Sequence, residues 1–484
     1  MMSEMTQIVP VLPELVLLFG VIVTMMVRLF CRAGAYDRVY ASCQTTLMVT
    51  VIAVAIAAEH GPFGISFSGL WLADFLALFA KGVILIGAYI IFAYGKDYVA
   101  ALKENRLDYY LLALLSVLGM MVLVSATHIL TVYLGIELLA LPIYAMVALW
   151  RTENRCVEAA LKYFITGAIA SCLLLYGFSL LYGATGLLSY ADIRVFLLLH
   201  DMSHNPMMLV AIAFILAGLA FKLGAVPFHM WAPDVYEGAP LPVTLFIATL
   251  PKLATVIVIL RTLAFMLAPL AMIWTKGCLV LALASIIVGN IAAMQQQNMK
   301  RLLAYSSIAH MGYALLGIVV HSALGYSAVL FYIMVYILGN FAVFGALLSI
   351  EYKRQYPQEI TDLRGLHTVS PAWALIVLLA LFSMAGVPPI VGFMAKMWVF
   401  SLLIQQHMVP IAVVAVLFTV LGAYYYIRVI REMYFEAPNQ PNACRLVVRP
   451  AVRVILFSNG ALLLLCGLFP TGLFTLCRYL TIAL

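Results

Sequence analysis

Five lysines stand inside stretches that otherwise read as membrane: Lys81, Lys162, Lys222, Lys252 and Lys396. A charge at the centre of a bilayer is costly, so such residues face a cavity or a partner and are functional candidates. An ammonium removed from water is also a cation that readily gives up its proton. Glu137, in Tyr133-Leu134-Gly135-Ile136-Glu137-Leu138-Leu139-Ala140, is the one acidic residue equally deep. Unpaired there it would protonate, so a nearby lysine is its natural partner. A purely structural ion pair is the competing reading. His310, in Tyr305-Ser306-Ser307-Ile308-Ala309-His310-Met311-Gly312-Tyr313, sits mid-helix among hydroxyls. It is either a hydrogen-bonded structural residue or a relay that titrates near physiological pH. These residue types at these depths point to the movement of protons or ions.

Composition names the medium that must position them. The chain has 484 residues, 65% of them hydrophobic and only 10% charged, with a mean hydropathy of +1.09. A soluble domain carries about 25% charged residues, so an integral membrane protein is expected. Apolar runs long enough to cross a hydrocarbon core recur from end to end, without strand-like alternation. The fold class is therefore all-α, with about fourteen transmembrane helices. The expected spans are roughly 11–31, 40–58, 70–95, 109–127, 129–150, 158–185, 207–232, 241–264, 272–294, 301–320, 325–350, 370–403, 409–430 and 454–477. The first reads as a span, not a removable signal. Eight scattered cysteines, with no CxxC motif or Cys/His cluster, read as small buried hydrophobes. No iron–sulfur, haem or zinc signature is visible, so neither a cofactor nor a metal site is expected here.

The basic residues orient these spans. With the N-terminus outside, the cytoplasmic side collects eighteen of the 27 Lys and Arg, among them Lys103, Arg151, Lys300, Arg301, Arg428 and Arg431. Four remain outside, Arg194, Arg261, Lys276 and Arg478, and the other five are the interior lysines. That is a strong positive-inside bias, with both termini outward. Net charge +7 then reflects topology and anionic lipid, with no nucleic acid as partner. The short loops hold no soluble domain, so the chain either transports alone or draws its energy from partner subunits.

Two long spans carry the same interruption. The seventh contains Phe221-Lys222-Leu223-Gly224-Ala225-Val226-Pro227-Phe228-His229, and the twelfth Met384-Ala385-Gly386-Val387-Pro388-Pro389-Ile390. Proline removes a backbone donor, and freed carbonyls at membrane depth are tolerated only around a protein-lined or wet cavity. Two ordinary proline kinks would leave the same trace. A lysine beside each break, Lys222 before one and Lys396 after the other, favours an ion path between repeats. The opposite order suits an inverted repeat. The organisation then reads as helices 1–3 over 1–103, a first five-helix repeat over 104–268, a second over 269–440 and helix 14 over 441–484, with helices 7 and 12 discontinuous. His310 is expected at the repeat position of Glu137. Glu14, Asp74 and Glu158 lie near span ends, where interfacial contact is the simpler account. Lys162 is shallow enough to reach the interface, and Lys81, mid-span but outside both repeats, reads as structural.

The segment Phe228-His229-Met230-Trp231-Ala232-Pro233-Asp234-Val235-Tyr236-Glu237-Gly238-Ala239-Pro240, with Tyr133–Ala140 and Lys300–Tyr313, resembles the antiporter-like membrane subunits of bacterial respiratory complex I, the proton-translocating NADH–quinone oxidoreductase. Within that family the N-type subunits are the nearest in kind. L- and M-type subunits usually read Asp-Ala-His where this chain has Asp234-Val235-Tyr236, and M-type subunits carry a glutamate in helix twelve where Lys396 stands. The long lateral helix of L-type subunits has no counterpart after span fourteen.

The resemblance implies a proton channel driven by quinone reduction in other subunits. Glu137 would tune a partner lysine, Lys222, Lys252 and Lys396 would form the deep row, and Lys162 and His310 would be accessory relays. Lys81 matches no family motif. The resemblance also implies FMN, iron–sulfur clusters and quinone on partner subunits. Those partners would be the M-type antiporter-like subunit and the small K- and J-type subunits, in a bacterial inner membrane with both termini periplasmic. A cation/proton antiporter subunit of a related multisubunit complex is the alternative, and a non-pumping scaffold a further one.

Overall fold

The computed structural model describes residues 9–31, 34–60, 64–102, 106–352, 356–437, 444–446 and 448–482. Arg32, Lys103, Lys353 and Arg354, part of the cytoplasmic tally, lie outside the described residues, as do the expected boundaries at 103–104 and 440–441. Thirteen described helices are long and apolar enough to cross a membrane. Two shorter apolar helices, Pro371–Ala385 and Val391–Gln405, together make up the twelfth expected span. The protein is a multi-pass, all-α membrane protein. Its described strands form two short antiparallel pairs, the hairpin Gly64–Ser66 with Trp71–Ala73 and the long-range pair Ile350–Tyr352 with Cys444–Leu446.

Helix limits follow local chemistry. Asn298 starts span ten by accepting from the backbone N–H groups of Lys300 at 2.9 Å and Arg301 at 3.1 Å. Ser322 caps span eleven through the N–H of Gly325 at 3.1 Å. Asp74 caps span three through the N–H of Ala77 at 2.8 Å. That last cap moves the span: it runs Phe75–Ala101, not 70–95, because residues 71–73 belong to a hairpin strand. The seventh span is also shorter than the apolar run suggests. Its helix, Pro206–Leu223, stops before Gly224, and a second, short helix begins at Trp231. Both breaks turn on a glycine in the left-handed region, Gly224 at φ +74° and Gly386 at φ +84°.

The chain divides into two compact units. One comprises residues up to Lys222 with Gly238–Trp274, the other Leu223–Glu237 with Thr275–Ala483. In the first unit span eight, Leu241–Ile259, is buried at every residue and so forms the unit's core, packed against spans three, four and five. Lipid supplies no hydrophobic drive between helices, so close packing at small residues holds them. A Cβ on Gly119 of span four would lie 2.3 Å from the backbone N of Leu139 in span five. A Cβ on Gly289 of span nine would lie 2.7 Å from the backbone N of Ala309 in span ten. These two close approaches share one sequence spacing and tie the first helix of each repeat to its second in the same way.

Three expectations about charged residues change. Glu14 is not interfacial: it is buried within span one, and its Oε1 lies 2.8 Å from the Nζ of Lys81 in span three. Asp74 caps its own helix and also pairs with Arg261 at 2.7 Å. Arg261 itself is not in an outer loop but buried, where span eight continues as a wider turn over Leu260–Met266. In each case the partner lies far away in sequence.

Candidate functional site

In the first unit the functional candidates gather around the core helix. Pro251 sits inside span eight, so the carbonyl of Ile247 loses its helical donor one turn before Lys252. Lys252 is only 2% exposed, too deep for its ammonium to reach an interface. Lys222 is the penultimate residue of its half-helix, placed there because the helix cannot continue past Gly224. Its Nζ donates to Ser171 Oγ of span six at 3.3 Å. Glu137 is half-buried on span five. Its Oε1 is buried and accepts no hydrogen bond among the described residues. Lys222 thus meets Ser171, and no ion pair joins it to Glu137 among the described residues.

Lys162 behaves differently from the deep lysines. Its side chain is 45% exposed and pairs with Glu158 one turn earlier at 2.7 Å, on the outward face of span six. Lys81 is wholly buried, but its charge is answered by Glu14, and its Nζ lies 5.0 Å from the ring centre of Trp71. The structural reading of Lys81 stands on that arrangement.

The second unit holds Lys396 and His310. Lys396 lies on the second half of span twelve, and its Nζ donates to the carbonyls of Met384 at 2.9 Å and Ala385 at 3.0 Å. Those carbonyls end the first half-helix, where the break leaves them without helical donors and the helix dipole presents its negative pole. The ammonium supplies the missing donors. Met384 stands two residues before Gly386, as Lys222 stands two before Gly224. Lys396 is therefore not the repeat equivalent of Lys222. An inverted repeat keeps residue order, and the lysine of the second unit reaches back to the equivalent place from beyond its break.

His310 is held between two tyrosines. One ring nitrogen, Nδ1, meets Tyr332 Oη at 2.7 Å, and the other, Nε2, meets Tyr426 Oη at 3.1 Å. Tyr426 also bonds Ser306 Oγ, and Tyr313 Oη takes a bond from Thr419 at 2.8 Å. His310, Tyr332, Tyr336 and Lys396 line one cavity with about 10 Å³ of free space, room for a single water. With the spacing that pairs Gly119 with Gly289, Glu137 corresponds to Ser307, so His310 lies nearly one turn beyond the place expected for it. Sequence reasoning missed Tyr332, Tyr426 and Ser171, which carry no motif; tyrosines spaced along an apolar helix look like packing. Changing Tyr332 to Phe removes one partner of His310 and is expected to cost about 1 kcal/mol. The check is a lower thermal unfolding midpoint in detergent, with Tyr326→Phe, which loses only a bond to His321 at the edge, as the comparison.

Lys222 and Lys396 each stand beside a helix break with hydroxyl or imidazole groups near, an arrangement able to hold and pass protons. Residues 126–422 match the family model described as NADH:quinone oxidoreductase/Mrp antiporter, TM. The chain is 42% identical over 481 residues to NADH-quinone oxidoreductase subunit N of Coxiella burnetii, covering 98% of this chain and 99% of that protein. The chain belongs to this antiporter-like family. Among solved structures it is similar to a chain of respiratory complex I from Thermus thermophilus, at TM-score 0.80 and 30% identity, covering 96% of this chain and 98% of that one. A chain of the Mrp complex from Dietzia shares the fold, at TM-score 0.82 and 19% identity over 99% of this chain and 97% of that one. Family membership accords with two inverted five-helix repeats and discontinuous helices seven and twelve.

Proposed function

We propose that the chain is the N-type membrane-arm subunit of a proton-pumping NADH–quinone oxidoreductase, in a bacterial inner membrane with both termini periplasmic. The observation that carries the reading is the broken twelfth helix, whose freed carbonyls hold the Lys396 ammonium, within a chain alike to N-type subunits over its full length. The first unit contributes Glu137, Lys222 and Lys252, and the second contributes Lys396 and the His310–tyrosine cluster. Glu137 favours a proton on Lys222 while its charge stays near; withdrawing that charge releases the proton onward through Lys252 to Lys396. Lys162, paired on an outward face, serves as an accessory relay.

A membrane voltage opposes this movement by about 2.3 kcal/mol per charge per 100 mV, so the chain needs an external drive. Quinone reduction on other subunits supplies it. FMN, iron–sulfur clusters and quinone then belong to those subunits, and this chain carries no redox centre. Its neighbours are the M-type antiporter-like subunit and the small K- and J-type subunits. An affinity tag on this chain is expected to recover, from mild detergent, an assembly that oxidises NADH and contains iron–sulfur protein. Recovery of the chain with only antiporter-type membrane subunits would replace this reading with a cation/proton antiporter.

A further inference from the structure

Two arginines outside the lysine row make alike contacts. Arg261, at the end of span eight and 3% exposed, donates from Nε to the carbonyl of Val124 at 3.1 Å, on the last turn of span four. Its Nη2 pairs with Asp74 at 2.7 Å. Arg428, near the end of span thirteen, donates from Nη1 to the carbonyl of Met294 at 2.9 Å, the last residue of span nine. Its Nη2 donates to the carbonyl of Gln296, just beyond. In each repeat, then, the last helix sends a guanidinium to the carbonyl end of the first. The spacing that pairs Gly119 with Gly289 also pairs Val124 with Met294, so the two accepting carbonyls are equivalent positions, although that spacing sets Arg261 against Arg431 and not Arg428. Carbonyl ends lack donors and carry the negative helix pole, which gives each arginine its docking place.

Five expected crossings, spans nine to thirteen, separate the ends of spans eight and thirteen, and an odd number of crossings predicts opposite membrane sides for them. The sorting of basic residues places Arg261 at the outer end of the first repeat and Arg428 at the cytoplasmic end of the second. Within the proton path the chain uses lysine, which can release a proton. At these two ends it uses arginine, which stays protonated in proteins and cannot pass one on.

We propose that Arg261 and Arg428 are the closing residues of the two repeats. Each pins the last helix to the first at the end that must not conduct, and each sets there a guanidinium that does not relay protons. The first repeat then opens only to the cytoplasm and the second only to the outside. This rests on the proton-path reading above, and it assigns to each repeat the side it seals.

The test is passive leak, read without NADH turnover. The assembled complex carrying Arg261→Met or Arg428→Met is sealed into lipid vesicles, and an imposed pH gradient is followed with a trapped dye. Each variant is expected to collapse the gradient about tenfold faster than the unaltered complex. Adding Lys252→Ala to Arg261→Met is expected to return the leak to baseline, because the opened end then leads nowhere. An unchanged leak in both Met variants overturns the proposal, as does a leak that Lys252→Ala leaves untouched, since that reports a packing defect. Should a Met variant fail to assemble, Arg261→Lys and Arg428→Lys keep a cation over the carbonyls but one able to lose its proton. A raised leak in them supports the proposal and an unchanged leak overturns it. Lost NADH-driven pumping in Lys252→Ala alone, beside unchanged leak in the arginine variants, would spare the path and sink only the seals.

Discussion

Replacing Lys252 by alanine is expected to slow proton movement through this chain by roughly 10²-fold or more, the loss typical of removing a positioned proton-transfer group. Lys252 is 2% exposed on a helix buried along its whole length, so no neighbouring side chain on that helix can take its place. The measurement is the ratio of protons moved to NADH oxidised by the assembled complex in sealed vesicles. Lys222→Ala, alone or combined with Lys252→Ala, is expected to lower the same ratio. Lys252→Arg separates charge from proton release. It keeps a cation at the position, so assembly should survive, but a guanidinium does not give up its proton and pumping should stay low. An undiminished ratio in the Lys222→Ala, Lys252→Ala double variant, with the complex intact, would end the proton-path model.

The second large effect concerns stability, not transport. Changing Lys81 to methionine leaves the Glu14 carboxylate buried without its cation, a defect of about 3–5 kcal/mol. The chain carrying Lys81→Met should therefore be scarce in membranes and poorly recovered in the assembled complex. Replacing both partners, Glu14→Leu with Lys81→Met, removes the uncompensated charge and should restore recovery, because well-packed apolar residues match or exceed a buried ion pair. The restored double variant is expected to pump normally. Normal recovery of Lys81→Met with impaired pumping would instead move Lys81 into the proton path.

These two outcomes divide lysines that the sequence presents alike. Lys81 and Lys252 are both mid-span in the expected spans and both nearly inaccessible in the structure. What separates them is a carboxylate from span one, resting against Lys81 across a long stretch of chain. Nothing near either lysine in the sequence announces that contact. Glu14 lies close to the start of its span and for that reason reads as interfacial. The same blindness applies to Asp74 and Arg261, whose positions at element ends suggest solvent, although they form a buried pair.

Several features were legible from residue types alone, because their costs are local. Sustained apolar runs demand a bilayer, Gly and Pro within them demand a break, and a lysine at that depth demands a partner or a cavity. The membrane class, the fourteen crossings, the two interruptions and the depth of Lys222, Lys252 and Lys396 all follow from such costs. The identity of each partner does not, since a hydrogen bond or ion pair depends on where distant helices are brought together. Only the tertiary structure decided that Lys396 reaches back to the carbonyls of Met384 and Ala385, that His310 lies between Tyr332 and Tyr426, and that Glu14 neutralises Lys81. The sequence set out the charges that must be answered, and helix packing chose what answers them.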